Sequence, residues 1–378
     1  MDLIQVNLQA GFGGGEVYTC FLGKALAGLG VPFRLIVNNR ANWWKRNETF
    51  ADDIISIRDA EEIPLLGLGA GSLLLYHTPD RGQRLAQLRG SGVRLASLAH
   101  MPAYQRETSY FAGYDLVIPV SRYVRDGLLT SGLANVYDEP LYGVAHLRHR
   151  ERGLSVISAQ SRYQWDTRKG RDLLLSKLEP IWQALTPTKN FSHRPGLTLG
   201  IVSRITPIKQ FPRLFQAIAP ALAEFPSVNI EVFGSGGYAS VRDTRIALRP
   251  ILKQVRWWGH QDDVEPVYPL LDFMITGLPE KEALGLNVLE SQLCGTPVLA
   301  PDAPPFSETI VHGAGGYLYP DPRQDNGAGF RALIAGLVRG SLPRPNPLQS
   351  SSGLDRFSEA AFRVRVAGLL RRLESIIS

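Results

Sequence analysis

Short apolar runs alternate with longer helical segments, and this alternation occurs twice along the chain. LIQVNL, PFRLIVN, SLLLYH, VRLASLAH and LVIPVS read as strands, and the first is followed by a helix in which Val17, Phe21, Ala25 and Leu29 recur every four residues. VSRYVRDGLL starts a further helix. Between about Tyr137 and Pro195 the pattern breaks into a charged, irregular region with one helical segment, DLLLSKLEPIWQAL. It then restarts. LTLGIVS, VNIEVFG, VRWWGH, DFMITG and PVLA read as strands, and FPRLFQAIAPALAEF, YASVRDTRIALRPILKQ and LNVLESQLC as helices between them. Strands this apolar are buried on both faces, as in a parallel sheet covered by helices. The sequence therefore predicts two doubly wound α/β domains facing a cleft, 1–190 and 191–355. The amphipathic segment within 356–378 is expected to pack back on the first.

Such sheets bind ligands beyond the carboxyl ends of their strands. One stretch there, EKEALGLNVLESQLCGTPVLA, carries Glu282 before a helix and Glu290 inside it, with Gly285 between. At ~100° per residue Glu290 lies ~40° from Leu286 and ~60° from Leu293, at the margin of the apolar face. A half-buried carboxylate there needs a hydrogen-bonding partner. Glu282 precedes a helix N-terminus, whose free N–H groups suit anions or sugar oxygens, and Gly285 allows close approach. The bland alternative is an N-terminal helix charge and a rim residue. In GIVSRITPIKQFPRLF, Arg204 and Lys209 follow a buried strand, where a forked and a mobile cation suit a diphosphate. FGSGGY places Gly234 and Gly236 in a turn between strand and helix.

The order is strand–SR–x4–K–helix, strand–FGSGG–helix, strand–WGH, then E–x7–E–x4–GTPV. In this the chain resembles the family 4 (group 1) glycosyltransferases, the retaining group with the GT-B fold of two Rossmann-like domains. The resemblance is clear over about Leu197 to Tyr319. It implies that Glu282 holds hydroxyls of a donor sugar, assisted by backbone amides of Leu284, Gly285 and Leu286. Glu290 would bind the donor ribose, Arg204 and Lys209 the diphosphate, and the strand VRWWGH around Trp257 to His260, with Trp258 and Gly259, would flank the nucleobase.

The N-terminal half fits the same family. GFGGGE fails the dinucleotide fingerprint at Glu16. It matches instead the GG-x-E loop of these enzymes, where Gly13, Gly14 and Gly15 approach donor phosphate or acceptor. His100 matches the family's histidine near the reaction centre. HMPAY departs from the usual His-Asp pair, and GLPEKEALG departs from PS-x-x-EGFG and adds a second carboxylate, Glu280.

No D-x-D triplet occurs, which argues against the metal-dependent GT-A class, and no metal ligand or cofactor is expected beyond the nucleotide-sugar co-substrate. Net charge is +6, and from 151 to 213 eleven Lys/Arg face four Asp/Glu, which suits an anionic ligand. Without an aromatic–basic repeat or zinc-finger spacing, nucleic acid is the weaker partner. RANWWKRN groups Trp43, Trp44, Lys45 and Arg46 as an anchor for an anionic membrane or lipid-linked acceptor, or as an ordinary loop with packed indoles. The N-terminus lacks a basic leader, and Cys20 and Cys294 sit in apolar helical patterns, so a cytoplasmic enzyme is expected. The expected reaction is metal-independent, retaining transfer of a sugar to a glycan or lipid-linked acceptor in bacterial polysaccharide or glycoconjugate synthesis. A non-catalytic binding module, a nucleotide-sugar epimerase and a two-carboxylate hydrolase are the rivals.

Overall fold

The architecture comes from a computed structural model, which describes residues 2–11, 13–46, 50, 53–144, 147, 156–185 and 189–377. The chain divides into two compact units: Met1–Val144 with Asp355–Ser378, and Ala145–Leu354.

The first unit contains β1 (Asp2–Asn7), α1 (Gly14–Gly28), β2 (Phe33–Asn38), β3 (Ile54–Ile57), β4 (Ser72–Tyr76), α2 (Arg84–Gly90), β5 (Arg94–Ala99), β6 (Leu116–Pro119) and α3 (Arg122–Thr130). Its strands form one parallel sheet in the order β3-β2-β1-β4-β5-β6. The chain's direction across the sheet reverses between β1 and β4. The buried stripe of α1 runs through Tyr18, Phe21, Leu22, Ala25 and Leu26, one residue round from the stripe expected. Its end is closed by Gly30 at φ +70, with the Val31 amide donating to the Leu26 carbonyl at 3.0 Å.

The second unit contains α4 (Gly170–Leu185), β7 (Leu197–Val202), α5 (Phe211–Ala223), β8 (Val228–Phe233), α6 (Tyr238–Ala247), β9 (Val255–Gly259), β10 (Phe273–Ile275), α7 (Leu286–Leu293), β11 (Val298–Pro301), α8 (Phe306–Thr309), β12 (Gly316–Tyr319) and α9 (Ala328–Val338). Its sheet is also parallel, in the order β12-β11-β10-β7-β8-β9, reversing between β7 and β10. The period of two along each strand feeds two apolar layers. Leu199, Ile201, Ile230 and Val232 pack with Phe215 and Ile218 of α5 and Phe330 of α9 on one face. Val202, Phe233 and Met274 pack with Val288 of α7 and Phe306 of α8 on the other. The last helix, α10 (Glu359–Ile377), returns to the first unit, where Phe362 meets the Tyr18 ring at 5.8 Å.

Two expectations change. The boundary lies at 144/145 rather than near 190, because the segment after 156 is stitched to the second sheet. Ser158 bridges Asn190, and the Gln160 amide donates to the Trp258 carbonyl at 2.8 Å. The Trp-bearing loop also does not present both indoles to solvent. Trp44 is 0% exposed and packs with Leu35, Val37, Ala41 and Phe50, while half-buried Trp43 lies against it at 4.0 Å. Two indoles offer more apolar area than a short loop can leave in water, and the core beside β2 takes it. Lys45 is exposed; Asn47 and the Arg46 side chain lie outside the described residues. Among the described residues no helix is long and apolar enough to cross a membrane.

Candidate functional site

In the second unit, the loops leaving β7 and β10 meet where the strand order reverses. The Leu278 amide donates to the Lys209 carbonyl at 3.2 Å, and a Cβ on Gly277 would stand 1.9 Å from that oxygen, so only glycine permits the crossing. This contact brings together residues more than sixty positions apart. Lys209 Nζ forms an ion pair with Glu282 and lies 3.4 Å from Asn287 Oδ1. Asn287 in turn donates to the Val202 carbonyl at the end of β7, at 3.2 Å. Gly285, at φ +79, starts α7, leaving the first N–H groups of that helix outside its hydrogen-bond ladder. Leu284 is buried just before it.

Glu290 projects from the same helix and accepts a hydrogen bond from the Tyr268 hydroxyl at 3.0 Å. Burial pushes its pKa up, against the pull of the Tyr268 bond and the Lys209 charge. The Tyr268 hydroxyl is driven well above its ordinary range by burial and by that carboxylate. Glu280 is engaged elsewhere, ion-paired with Arg323 and accepting from Gln210 Nε2 at 3.0 Å. Arg204 is exposed, and its guanidinium has no hydrogen-bond or ion-pair partner among the described residues. Thus Lys209, Glu282 and Glu290 share one neighbourhood, and Glu280 is separated from it by its own partners.

The other residues expected at this site have packing roles in the sheet. Trp258 is 3% exposed, and its Nε1 donates to buried Glu231 at 2.7 Å, so the indole belongs to the core and cannot flank a base. Gly234 and Gly236 are glycines for packing: a Cβ on either would stand 1.9 and 2.0 Å from the Ser203 and Ile205 carbonyls. The Gly259 backbone is covered by the chain at Gln160 and Ser161, whose carbonyls would lie 2.3 Å from a Cβ there. Across these strand ends runs a half-buried aromatic stack that periodicity gave no sign of. Tyr163 lies 4.7 Å from Trp165 and 5.9 Å from Tyr238, with Arg171 over Tyr238 at 4.3 Å.

The first unit has its own polar cluster at the reversal between β1 and β4. Gly13 is extended at φ −169 and precedes α1, which Gly14 and Gly15 open. The space before Gly15 is clear, since a Cβ there would meet nothing within 4 Å. His100, after β5, stacks on His77, after β4, with ring centroids 5.8 Å apart, and meets Tyr18 edge-on at 4.8 Å. His77 Nε2 shares a hydrogen bond with Gln5 Oε1 at 2.8 Å. Burial lowers the His100 pKa to about 4. It lowers that of His77 well below its usual value, with His100 adding to the effect. Among the described residues, His100 Nε2, His77 Nδ1 and Gln5 Nε2 are buried without hydrogen-bond partners. His77 and Gln5 escape sequence reading because an isolated polar residue in an apolar strand carries no periodic signal.

Residues 188–333 match the family model for glycosyl transferases group 1. The chain is similar to the GtfA subunit of UDP-N-acetylglucosamine–peptide N-acetylglucosaminyltransferase from Streptococcus agalactiae, at 26% identity over 139 residues, 36% of this chain and 27% of that protein. It is also similar to N-acetyl-alpha-D-glucosaminyl L-malate synthase from Bacillus anthracis, at 29% identity over 117 residues, 31% of this chain and 30% of that one. These matches span less than a third of each relative. The fold resembles Anabaena HepE in complex with UDP and glucose, with TM-score 0.66, 14% identity and coverage of 98% and 99% of the two chains. It also resembles pneumococcal O-GlcNAc transferase GtfA in complex with UDP and GlcNAc, with TM-score 0.67, 13% identity and coverage of 100% and 99%. The GT-B α/β fold expected from the sequence is the one found.

Proposed function

We propose, from the premise that residues 188–333 form a glycosyl transferases group 1 domain, that the chain is a retaining, metal-independent glycosyltransferase using a nucleotide-sugar donor. The observation that carries this is the meeting of Lys209, Glu282 and Glu290 at the sheet reversal beside the start of α7. Lys209 and Arg204 bind the diphosphate. Glu282 accepts hydrogen bonds from donor-sugar hydroxyls, with the first amides of α7 beside it. Glu290 directs its second oxygen to the ribose, while Tyr268 holds the first. UDP-sugars are the first donors to try, because UDP is bound in the related structures and named in the GtfA relatives. A cytoplasmic setting fits two cysteines that form no disulfide with each other.

The acceptor, a glycan or a lipid-linked saccharide, attacks the anomeric carbon from the face that the diphosphate leaves. Its hydroxyl oxygen forms the new C–O bond, the bond from carbon to phosphate oxygen breaks, and the hydroxyl proton passes to the departing phosphate. Configuration is retained without a covalent enzyme intermediate. The protein contributes positioning and fixed charge. Arg204, Lys209 and the α7 N-terminus stabilise the leaving diphosphate. His100, held neutral by burial, offers a hydrogen bond near the reaction centre rather than a charge.

The test is a thermal-shift screen against UDP, GDP, ADP, CMP and their sugar conjugates with EDTA present. A ligand at 100 times its Kd stabilises by about 2.7 kcal/mol. A metal-free shift with one nucleotide, followed by an axial-type product linkage in NMR, meets the proposal. Tight binding without transfer to any acceptor would make this a binding module, and a new sugar from donor alone would make it an epimerase.

A further inference from the structure

Gln210 is a residue that no sequence motif singled out. It immediately precedes α5 and is 6% exposed. Its backbone is left-handed, with φ +54 and ψ 28, a region that long side chains rarely adopt. The side chain does not cap α5. It reaches the opposite loop, where Nε2 donates to Glu280 Oε2 at 3.0 Å. The other Glu280 oxygen is ion-paired with Arg323, which also binds Asp321 through Nε at 2.9 Å. Two adjacent residues of one loop, Lys209 and Gln210, thus grip two alternate carboxylates of the other, Glu282 and Glu280. Backbone strain persists where surrounding contacts over-determine it, and such sites concentrate where geometry serves function.

We propose that Gln210 is a positioning residue for the diphosphate-binding lysine: it holds Glu280 on Arg323, so that Glu280 is not added to the carboxylates already beside Lys209. This rests on the donor-site reading above. A further carboxylate at Lys209 would compete with the phosphates for its charge. The amide of Gln210 can occupy Glu280 without adding charge, which a lysine or glutamate at the same position could not do. A glycine would relax the backbone but leave Glu280 with one partner fewer.

That last property supplies the test. Gln210→Gly keeps the left-handed turn accessible and removes only the side chain, so folding survives. The full chain, Gln210→Gly, Glu280→Gln and the double variant would be titrated calorimetrically, with EDTA, against whichever of UDP, GDP and ADP wild type binds best. Gln210→Gly should weaken binding roughly fivefold, the scale of one added unit charge about 4 Å away in a watery setting. Glu280→Gln should bind at least as tightly as wild type. The double variant should match Glu280→Gln, because no charge remains for the missing amide to restrain. Unchanged binding in Gln210→Gly overturns the proposal. So does a double variant as weak as Gln210→Gly, which would mean that the amide only stiffens the loop. Failure of wild type to bind any of the nucleotides overturns the donor reading itself, and this inference with it.

Discussion

Each unit gathers polar side chains where its strand order reverses, yet the two clusters are built on opposite principles. In the second unit the groups are charged and paired: Lys209 with Glu282, Glu280 with Arg323, and Glu290 with Tyr268. In the first they are neutral and under-satisfied: among the described residues, His100, His77 and Gln5 each leave a buried nitrogen without a partner. Paired charges can exchange partners with an ionic ligand at small net cost in desolvation. Orphaned neutral groups gain most from a ligand that both donates and accepts hydrogen bonds, because each is otherwise buried at a cost of about 1–3 kcal/mol. The chemistry of the second unit's cluster thus fits an anionic ligand, and that of the first a neutral hydrogen-bonding one.

That contrast can be broken by experiment. The largest effect should come from Lys209→Ala, which removes the cation and leaves Glu282 unpaired. Transfer measured as kcat/KM should fall on the order of a hundredfold or more, the usual cost of deleting one charge-stabilising donor. His100→Gln should lower kcat about tenfold while nucleotide affinity by calorimetry stays as in wild type. Equal loss of nucleotide affinity in both variants would erase the distinction between the two clusters. Arg204→Ala, removing a solvated cation, should weaken nucleoside diphosphate binding several-fold, about 1 kcal/mol, and flatten its salt dependence.

The smallest effect is in stability, and its sign should differ between the units. His100, with its pKa lowered to about 4 from an ordinary 6.5, is protonated more readily in the unfolded chain. Its contribution is complete above about pH 6.5 and is lost as pH falls toward 4. Glu290 has a raised pKa, so its folded form keeps a proton that the unfolded form releases. Its contribution is present below the ordinary carboxylate pKa and is lost as pH rises through its raised value. Thermal midpoints followed from pH 4 to 7 should therefore lose part of their low-pH decline in His100→Gln and decline more steeply there in Glu290→Gln. The same slope in both variants would contradict the assignment.

Periodicity made most of the fold legible, and its misses have local causes. β3 and β12, IISI and GYLY, are the outer strands of their sheets and are not among the runs read as strands. α9 hides behind Gly329 and Gly336 in its interior. The single helix expected over YASVRDTRIALRPILKQ stops at Ala247, and a 3-10 turn follows from Arg249, because Pro250 cannot donate to the ladder. At the site, Glu282, Glu290 and Lys209 stand out in the sequence because they follow strands at set spacings. Their partners Tyr268, Gln210 and Arg323 do not, since only the folded chain brings them across. The resemblance carried Trp258 to a place beside the nucleobase, whereas its polar edge serves Glu231 in the core.

The return of α10 to the first unit has a consequence for how the protein is made. Phe362, Val366, Leu369 and Leu373 are buried there, α10 packs on α1, and the intervening chain is the whole second unit. At about 5–20 residues per second, a ribosome needs roughly 10–40 s to pass from 144 to 355. Throughout that interval the surface of α1 that will receive α10 is exposed. The unit whose synthesis begins first therefore completes its core only after the second unit has been made.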